Sequence, residues 1–265
     1  MDKIFQDTKV YSQLVLDFKN VIKIFPVHLL ASIILYFFVY PYKILPGLYL
    51  GGVRDSRDAE QLRLNGITHV ISVHENPNSS HYQSQICEYL CIKASDEPDQ
   101  NLSQYFSLTN EFIHSARLKG GNVLIHCLAG ISRSVTIAIA YIMSVTTVTW
   151  KEGLKCVRAA RLLAQPNQGF IKQLQDFEKT GKLRHERKRL NIKFTEYSGL
   201  METDEEQVTR LIKRYNSLGP VKYLSVEDLL RVTQYNSFEE RKPKFYESPK
   251  RKSKKSKESG IYAFT

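Results

Sequence analysis

From Tyr42 to Lys179 the apolar positions change period repeatedly, from two to about 3.6 and back. Short apolar runs bounded by Gly, Pro or Asn read as buried strands, and apolar residues spaced three and four apart read as helices packed on one side. Lys43–Gly51 predicts a short strand pair around Pro46-Gly47. Ser56–Asn65 predicts a helix stopped by Gly66. Strands are predicted at His69–Val73, Tyr89–Ala94 and Val123–Ile125. Helices are predicted at Ser103–Leu118, ended by Gly120-Gly121, and then at Arg133–Val145, Trp150–Ala160 and Gly169–Lys179. Strands alternating with helices imply an α/β fold, a mostly parallel twisted sheet flanked by helices, with ligands at the carboxyl ends of the strands. The flanking extensions read as irregular.

The chain therefore divides into residues 1–41, 42–182 and 183–265. The first segment holds an apolar stretch, Ile24–Tyr40, broken only by Pro26, His28 and Ser32. At 17 residues it is at the short end of a membrane span. An anchor, a packed extension and a gene-model artefact are the competing readings of it. A signal peptide fits poorly, because no small-residue cleavage site follows. In the last segment, Thr203-Asp204-Glu205-Glu206 predicts a capping box before Val208–Tyr215. Ser225-Val226-Glu227-Asp228 predicts another before Leu229–Val232. Pro249–Lys257 is a solvated basic run expected to be disordered.

Charge sharpens this division. The formal net charge is +11, and residues 183–265 carry 19 Lys/Arg against 12 Asp/Glu. The basic excess is mainly a property of the tail, which suits an acidic partner or lipid surface without requiring nucleic acid. Four cysteines in 265 residues do not make a disulfide framework. Cys87 and Cys91, with His74 and His81 nearby, lack the second pair that a zinc site needs, so no metal and no cofactor is expected. Core packing is the default for Cys91, with a redox partnership to Cys127 as the minor alternative.

The chemistry concentrates in His126-Cys127-Leu128-Ala129-Gly130-Ile131-Ser132-Arg133-Ser134. A buried strand precedes this segment and a helix follows it. A loop at a helix N-terminus turns its N–H groups inward and cradles an anion. The same cradle stabilises a thiolate, and cysteines so placed titrate at about 3.5–7.5 instead of about 8.5. Cys127 is thus a candidate nucleophile and Arg133 a candidate fork for two anionic oxygens, with Leu128, Ala129, Gly130, Ile131 and Ser132 as the cradle. Gly130 supplies the backbone freedom such a loop needs. A displaced alkoxide or phenoxide needs a proton. Asp96 follows the strand ending at Ala94 and is the leading general acid, with Asp99 and Glu97 as close alternatives.

These residues form the pattern H-C-x5-R-S, and the chain resembles the dual-specificity protein phosphatases, in particular their small atypical subgroup. The resemblance runs from about Tyr42 to about Thr180. It is carried also by Lys43-Ile44-Leu45-Pro46-Gly47-Leu48-Tyr49-Leu50-Gly51, Arg57-Asp58-Ala59-Glu60-Gln61-Leu62, Tyr89-Leu90-Cys91-Ile92, Gln100-Asn101-Leu102 and Pro166-Asn167-Gln168-Gly169-Phe170. It implies a cysteine phosphatase fold, an acid within Ala94-Ser95-Asp96, a Ser134 hydroxyl that assists the sulfur, and a His126 that positions the loop. Asn101 and Asn167 are supporting candidates, each with a turn or cap role as the plainer reading. Subgroup members often begin Met-Gly and are myristoylated; Asp2 stands at that position here, so that modification is not expected.

No residue between Cys127 and Arg133 is basic. Relatives that act on inositol lipids resemble one another in carrying lysines there. The expected activity is accordingly a dual-specificity protein phosphatase acting through a cysteinyl-phosphate in kinase signalling, with phosphorylated proteins as partners. A phosphoinositide or RNA phosphatase, or a phosphoprotein-binding module, is the alternative. A low-pKa thiol favours a reducing compartment, cytosol or nucleus. Association with a membrane through 24–40 or the basic tail is a further partner reading.

Overall fold

The computed structural model describes residues 41–75, 87–195 and 198–217. The apolar stretch at 24–40, His81, the second capping box at 225–228 and the basic run at 249–257 lie outside the described residues.

Five strands form one sheet: β1 (Tyr42–Leu45), β2 (Leu48–Gly51), β3 (Ile67–His74), β4 (Glu88–Lys93) and β5 (Asn122–His126), in the order β1-β2-β5-β3-β4. Only the β1–β2 hairpin is antiparallel. The β2–β5, β5–β3 and β3–β4 pairs are parallel, so the mostly parallel sheet read from the alternation is the observed one. β5 lies at the centre, and its carboxyl end delivers His126 and then Cys127.

Helices cover the two faces unequally. On one face α1 (Val53–Arg57) and α2 (Ala59–Leu64) follow β2, and Leu62 of α2 packs with Tyr49, Ile67, Val70 and Leu124. These two short helices replace the single predicted 56–65 helix. Asp58 breaks it, because its backbone is extended and its Oδ1 accepts the Gln61 N–H at 3.0 Å as the cap of α2. The other face carries the main core, built around α3 (Phe106–Leu118), α4 (Arg133–Val145), α5 (Trp150–Ala160) and α6 (Gln168–Lys179). Every residue of α4 is buried. That explains why its sequence, RSVTIAIAYIMSV, is apolar nearly all round and not along one stripe.

The expected boundary at 182 does not coincide with a boundary in the structure. Two further helices, α7 (Lys182–Lys193) and α8 (Ser198–Ser217), bury Leu183, Leu190, Val208 and Leu211 in the same core. The predicted cap at Thr203 is instead mid-helix, its hydroxyl donating to the Leu200 carbonyl at 2.8 Å. Asp204 is fully buried and receives both arms of the Arg117 guanidinium at 2.9 and 2.6 Å. Arg117 also donates to Tyr141 Oη at 2.8 Å and to the Pro46 carbonyl at 2.7 Å. Glu186 of α7, likewise buried, accepts from Ser107 and Asn110 of α3. Polar locks between distant segments thus fix α7 and α8, part of the supposed tail, to the domain.

Candidate active site

The segment after β5 wraps round the Cys127 sulfur. Its carbonyls are held from outside, one after another. Val53 N–H donates to Leu128 O at 3.1 Å and Gln165 N–H to Ile131 O at 2.7 Å. Arg161 donates through Nη2 to Ala129 O at 2.7 Å and through Nε to Gly130 O at 2.8 Å. A trans peptide places its N–H opposite its C=O, so four outward carbonyls turn the next four N–H groups toward the sulfur side. One such contact is direct: Gly130 N–H lies 3.2 Å from Cys127 Sγ. Gly130 has φ +69°, and a Cβ there would sit 2.5 Å from the Gly51 carbonyl oxygen, so only glycine fits.

Cys127 is 2% exposed, yet its thiol is held below the ordinary value. Burial is the largest influence and opposes ionisation; the Arg133 charge, the Ser134 hydroxyl and the Ser134 N–H together outweigh it, while the Asp96 charge works against them. Ser134 Oγ donates to Sγ at 3.2 Å. Ser134→Ala is therefore expected to move the acid limb of Cys127 alkylation to higher pH, since the lost donor favours the thiolate. Iodoacetamide rates against pH measure this. A limb that stays in place would separate Ser134 from the sulfur.

Arg133, at the start of α4, is buried and donates Nη1 to the Ala94 carbonyl at 3.2 Å, with its Nε 3.5 Å from Asp96 Oδ2. Asp96 Oδ1 accepts from Ser132 Oγ at 2.6 Å and from Asn167 Nδ2 at 3.0 Å. The acid loop, the cradle and the N-terminus of α6 thus meet at one carboxylate. Glu97 and Asp99 are exposed. Asn167 also caps α6, its Oδ1 accepting the Phe170 N–H at 3.0 Å. A Cβ at Gly169 would fall 1.8 Å from the Pro98 carbonyl oxygen, so the acid loop rests on that glycine.

His126 Nδ1 lies 3.3 Å from the Cys127 carbonyl oxygen, and burial, with the His74 and Arg57 charges, pulls its pKa down to about 4 despite that contact. It is neutral near pH 7, which suits positioning better than proton transfer. Asn101 takes the plainer of its two readings, the turn role: its Oδ1 accepts from Ser103 Oγ and Gln104 N–H, shaping its own turn. The bracing expected of it falls to Gln100, whose Oε1 accepts from Ser95, and to Gln173, whose Oε1 accepts from Leu102 and Ser103. Neither glutamine was anticipated, nor was Arg161. All three act on backbone groups, which leaves no pattern in residue types.

The redox pairing of Cys91 with Cys127 fails on register. Cys91 stands opposite Ser72, and Ser72 opposite His126. It therefore shares a sheet face with His126, the face opposite that of the next residue, two strand spacings or about 10 Å away. A disulfide needs Cα atoms within about 7 Å. Among the described residues no group of three or more metal-binding side chains occurs, and no helix is long and apolar enough to cross a membrane.

Residues 48–180 match the family "Dual specificity phosphatase, catalytic domain". Human dual specificity protein phosphatase 22 is 54% identical over 137 residues, covering 52% of this chain and 73% of that protein. Dual specificity protein phosphatase 22-B of Danio rerio is 48% identical over 172 residues, covering 65% and 90%. The crystal structure of DUSP15 superposes with a TM-score of 0.56 at 43% identity, over 58% of this chain and 96% of that one.

Proposed function

The chain belongs to the dual specificity phosphatase family, and from that premise we propose how its residues divide the work of a protein phosphatase. The observation that carries the reading is the ionisable Cys127 thiol, under two hydrogen-bond donors at 3.2 Å and inside a loop whose carbonyls all face away. Its thiolate attacks phosphorus; the P–S bond forms as the bond to the protein's oxygen breaks. Arg133 and the inward N–H groups of residues 129–132 hold the phosphoryl oxygens where negative charge gathers. Asp96 delivers the proton to the departing oxygen. Water then attacks the cysteinyl-phosphate, Asp96 accepts its proton, and the sulfur leaves as a thiolate steadied by Ser134. Phosphate departs and the site is restored.

The substrate is a phosphorylated protein, on either a tyrosine or a serine/threonine side chain. Leu128 is exposed at the loop's outer turn, and no cation lies between Cys127 and Arg133 to gather additional phosphates. That composition disfavours inositol lipids. A purely binding role is disfavoured by the acid held beside the nucleophile, because binding requires neither. A role in kinase signalling, in the reducing cytosol or nucleus, fits a nucleophile that must stay reduced.

The test is hydrolysis of phosphotyrosine and phosphothreonine peptides with chelator present, beside a phosphoinositide and an RNA 5′-phosphate. Release from the peptides in preference to the other two supports the reading; the reverse preference overturns it. Asp96→Ala is expected to slow an alkyl phosphate by about 10²-fold and an activated aryl phosphate much less, since a good leaving group needs the proton less. Equal loss on both substrates would remove Asp96 from the role of acid.

A further inference from the structure

We propose that Arg161 is a positioning residue that sets the direction of the anion-binding N–H groups in the phosphate loop. The proposal rests on the phosphatase reading of that loop and concerns a side chain that touches neither sulfur nor substrate.

The geometry is specific. Gly130 sits at φ +69° with no side chain to restrain it, so the peptide units on either side of it are the two in the loop most free to turn over. Those are the units whose carbonyls Arg161 holds, Ala129 O at 2.7 Å and Gly130 O at 2.8 Å. If either peptide turned, a carbonyl dipole would replace an N–H at the anion. The neighbouring carbonyls, Leu128 O and Ile131 O, are held by backbone donors of Val53 and Gln165. Arg161 is thus the side chain that holds both peptide units flanking the cradle's glycine.

Its own setting is fixed. It is 3% exposed at the C-terminal end of α5. Its guanidinium carbon lies 5.0 Å from the centre of the Tyr42 ring. The buried Asp55, which accepts the Gly52 N–H at 2.6 Å, lies within electrostatic reach of it. A planar fork presents N–H groups from two separate nitrogens in fixed directions to successive carbonyls, whereas the three N–H donors of a lysine radiate from one nitrogen.

The experiment compares the full chain with Arg161→Met and Arg161→Lys, each first checked for folding by near-ultraviolet circular dichroism and thermal melting. Three quantities are read: inorganic vanadate affinity, the pH profile of Cys127 alkylation, and kcat against KM on an aryl phosphate. For Arg161→Met, vanadate affinity is expected to fall by about tenfold or more. The alkylation limb is expected to move to higher pH, and kcat to drop by about 10²-fold with a smaller change in KM. Arg161→Lys is expected to recover part of each. A folded Arg161→Met variant with wild-type vanadate affinity and alkylation profile would overturn the proposal. So would failure of both variants to fold, which would make the residue a structural one. Wild-type protein that neither binds vanadate nor hydrolyses phosphopeptide would instead overturn the phosphatase reading itself.

Discussion

Cys127→Ser is expected to abolish turnover, by about 10⁵-fold or more, while the fold and phosphopeptide binding persist. A serine hydroxyl in the same place does not ionise near pH 7, so the nucleophile is gone. The outward carbonyls of residues 128–131 keep their partners, however, and the N–H groups still face the anion. Neither Cys91 nor Cys156 can take over. Burial pushes Cys156 up to about 12 and raises Cys91 as well. Single-turnover hydrolysis, a melting curve and calorimetric titration with a phosphotyrosine peptide check the three parts separately. Turnover within tenfold of wild type would place the nucleophile elsewhere, and loss of phosphopeptide binding would make the sulfur itself part of the anion site.

Asp204→Ala is expected to cost about 3–5 kcal/mol of stability, because it leaves the Arg117 charge buried without its carboxylate. Substituting both members with apolar residues of similar volume, Arg117→Met with Asp204→Leu, is expected to recover most of the loss. Urea denaturation midpoints with unchanged slopes measure both. A single-variant loss below about 1 kcal/mol would mean that water reaches Arg117 once Asp204 is gone, and that the helix pair is held by its apolar contacts alone. The same contacts imply that a chain ended near residue 180, where the family match stops, leaves Leu183, Leu190, Val208 and Leu211 missing from the core.

Legibility followed the kind of physics each residue uses. The bounds of α5 were readable because apolar periodicity acts over a few residues, and the Thr149–Glu152 capping box that starts it is just as local; those of α4 follow from an apolar run too long for a strand. The convergence of Cys127, Arg133 and Asp96 was readable because the loop after one parallel strand and the loop after another both open at the carboxyl end of the sheet, where few positions let such side chains meet. Arg161, Gln100 and Gln173 were not, since their partners are carbonyls and N–H groups that every residue possesses. Asp204 was misread as part of a cap because its partner stands 87 positions earlier. The strong charge of α7, with Leu183 and Leu190 among seven basic or histidine side chains, disguised a helix that belongs to the core.

The central place of β5 has a consequence for biosynthesis. Gly51 pairs with His126, 75 positions later, and Ser72 pairs with the same histidine from the other side. The sheet therefore cannot close while the ribosome still holds β5. The loop beyond it awaits Arg161 and Gln165. Pairings this distant in sequence close slowly and form late. Until then Cys127 is an ordinary thiol on an unfinished chain, and its heightened reactivity arises only when the phosphatase can use it.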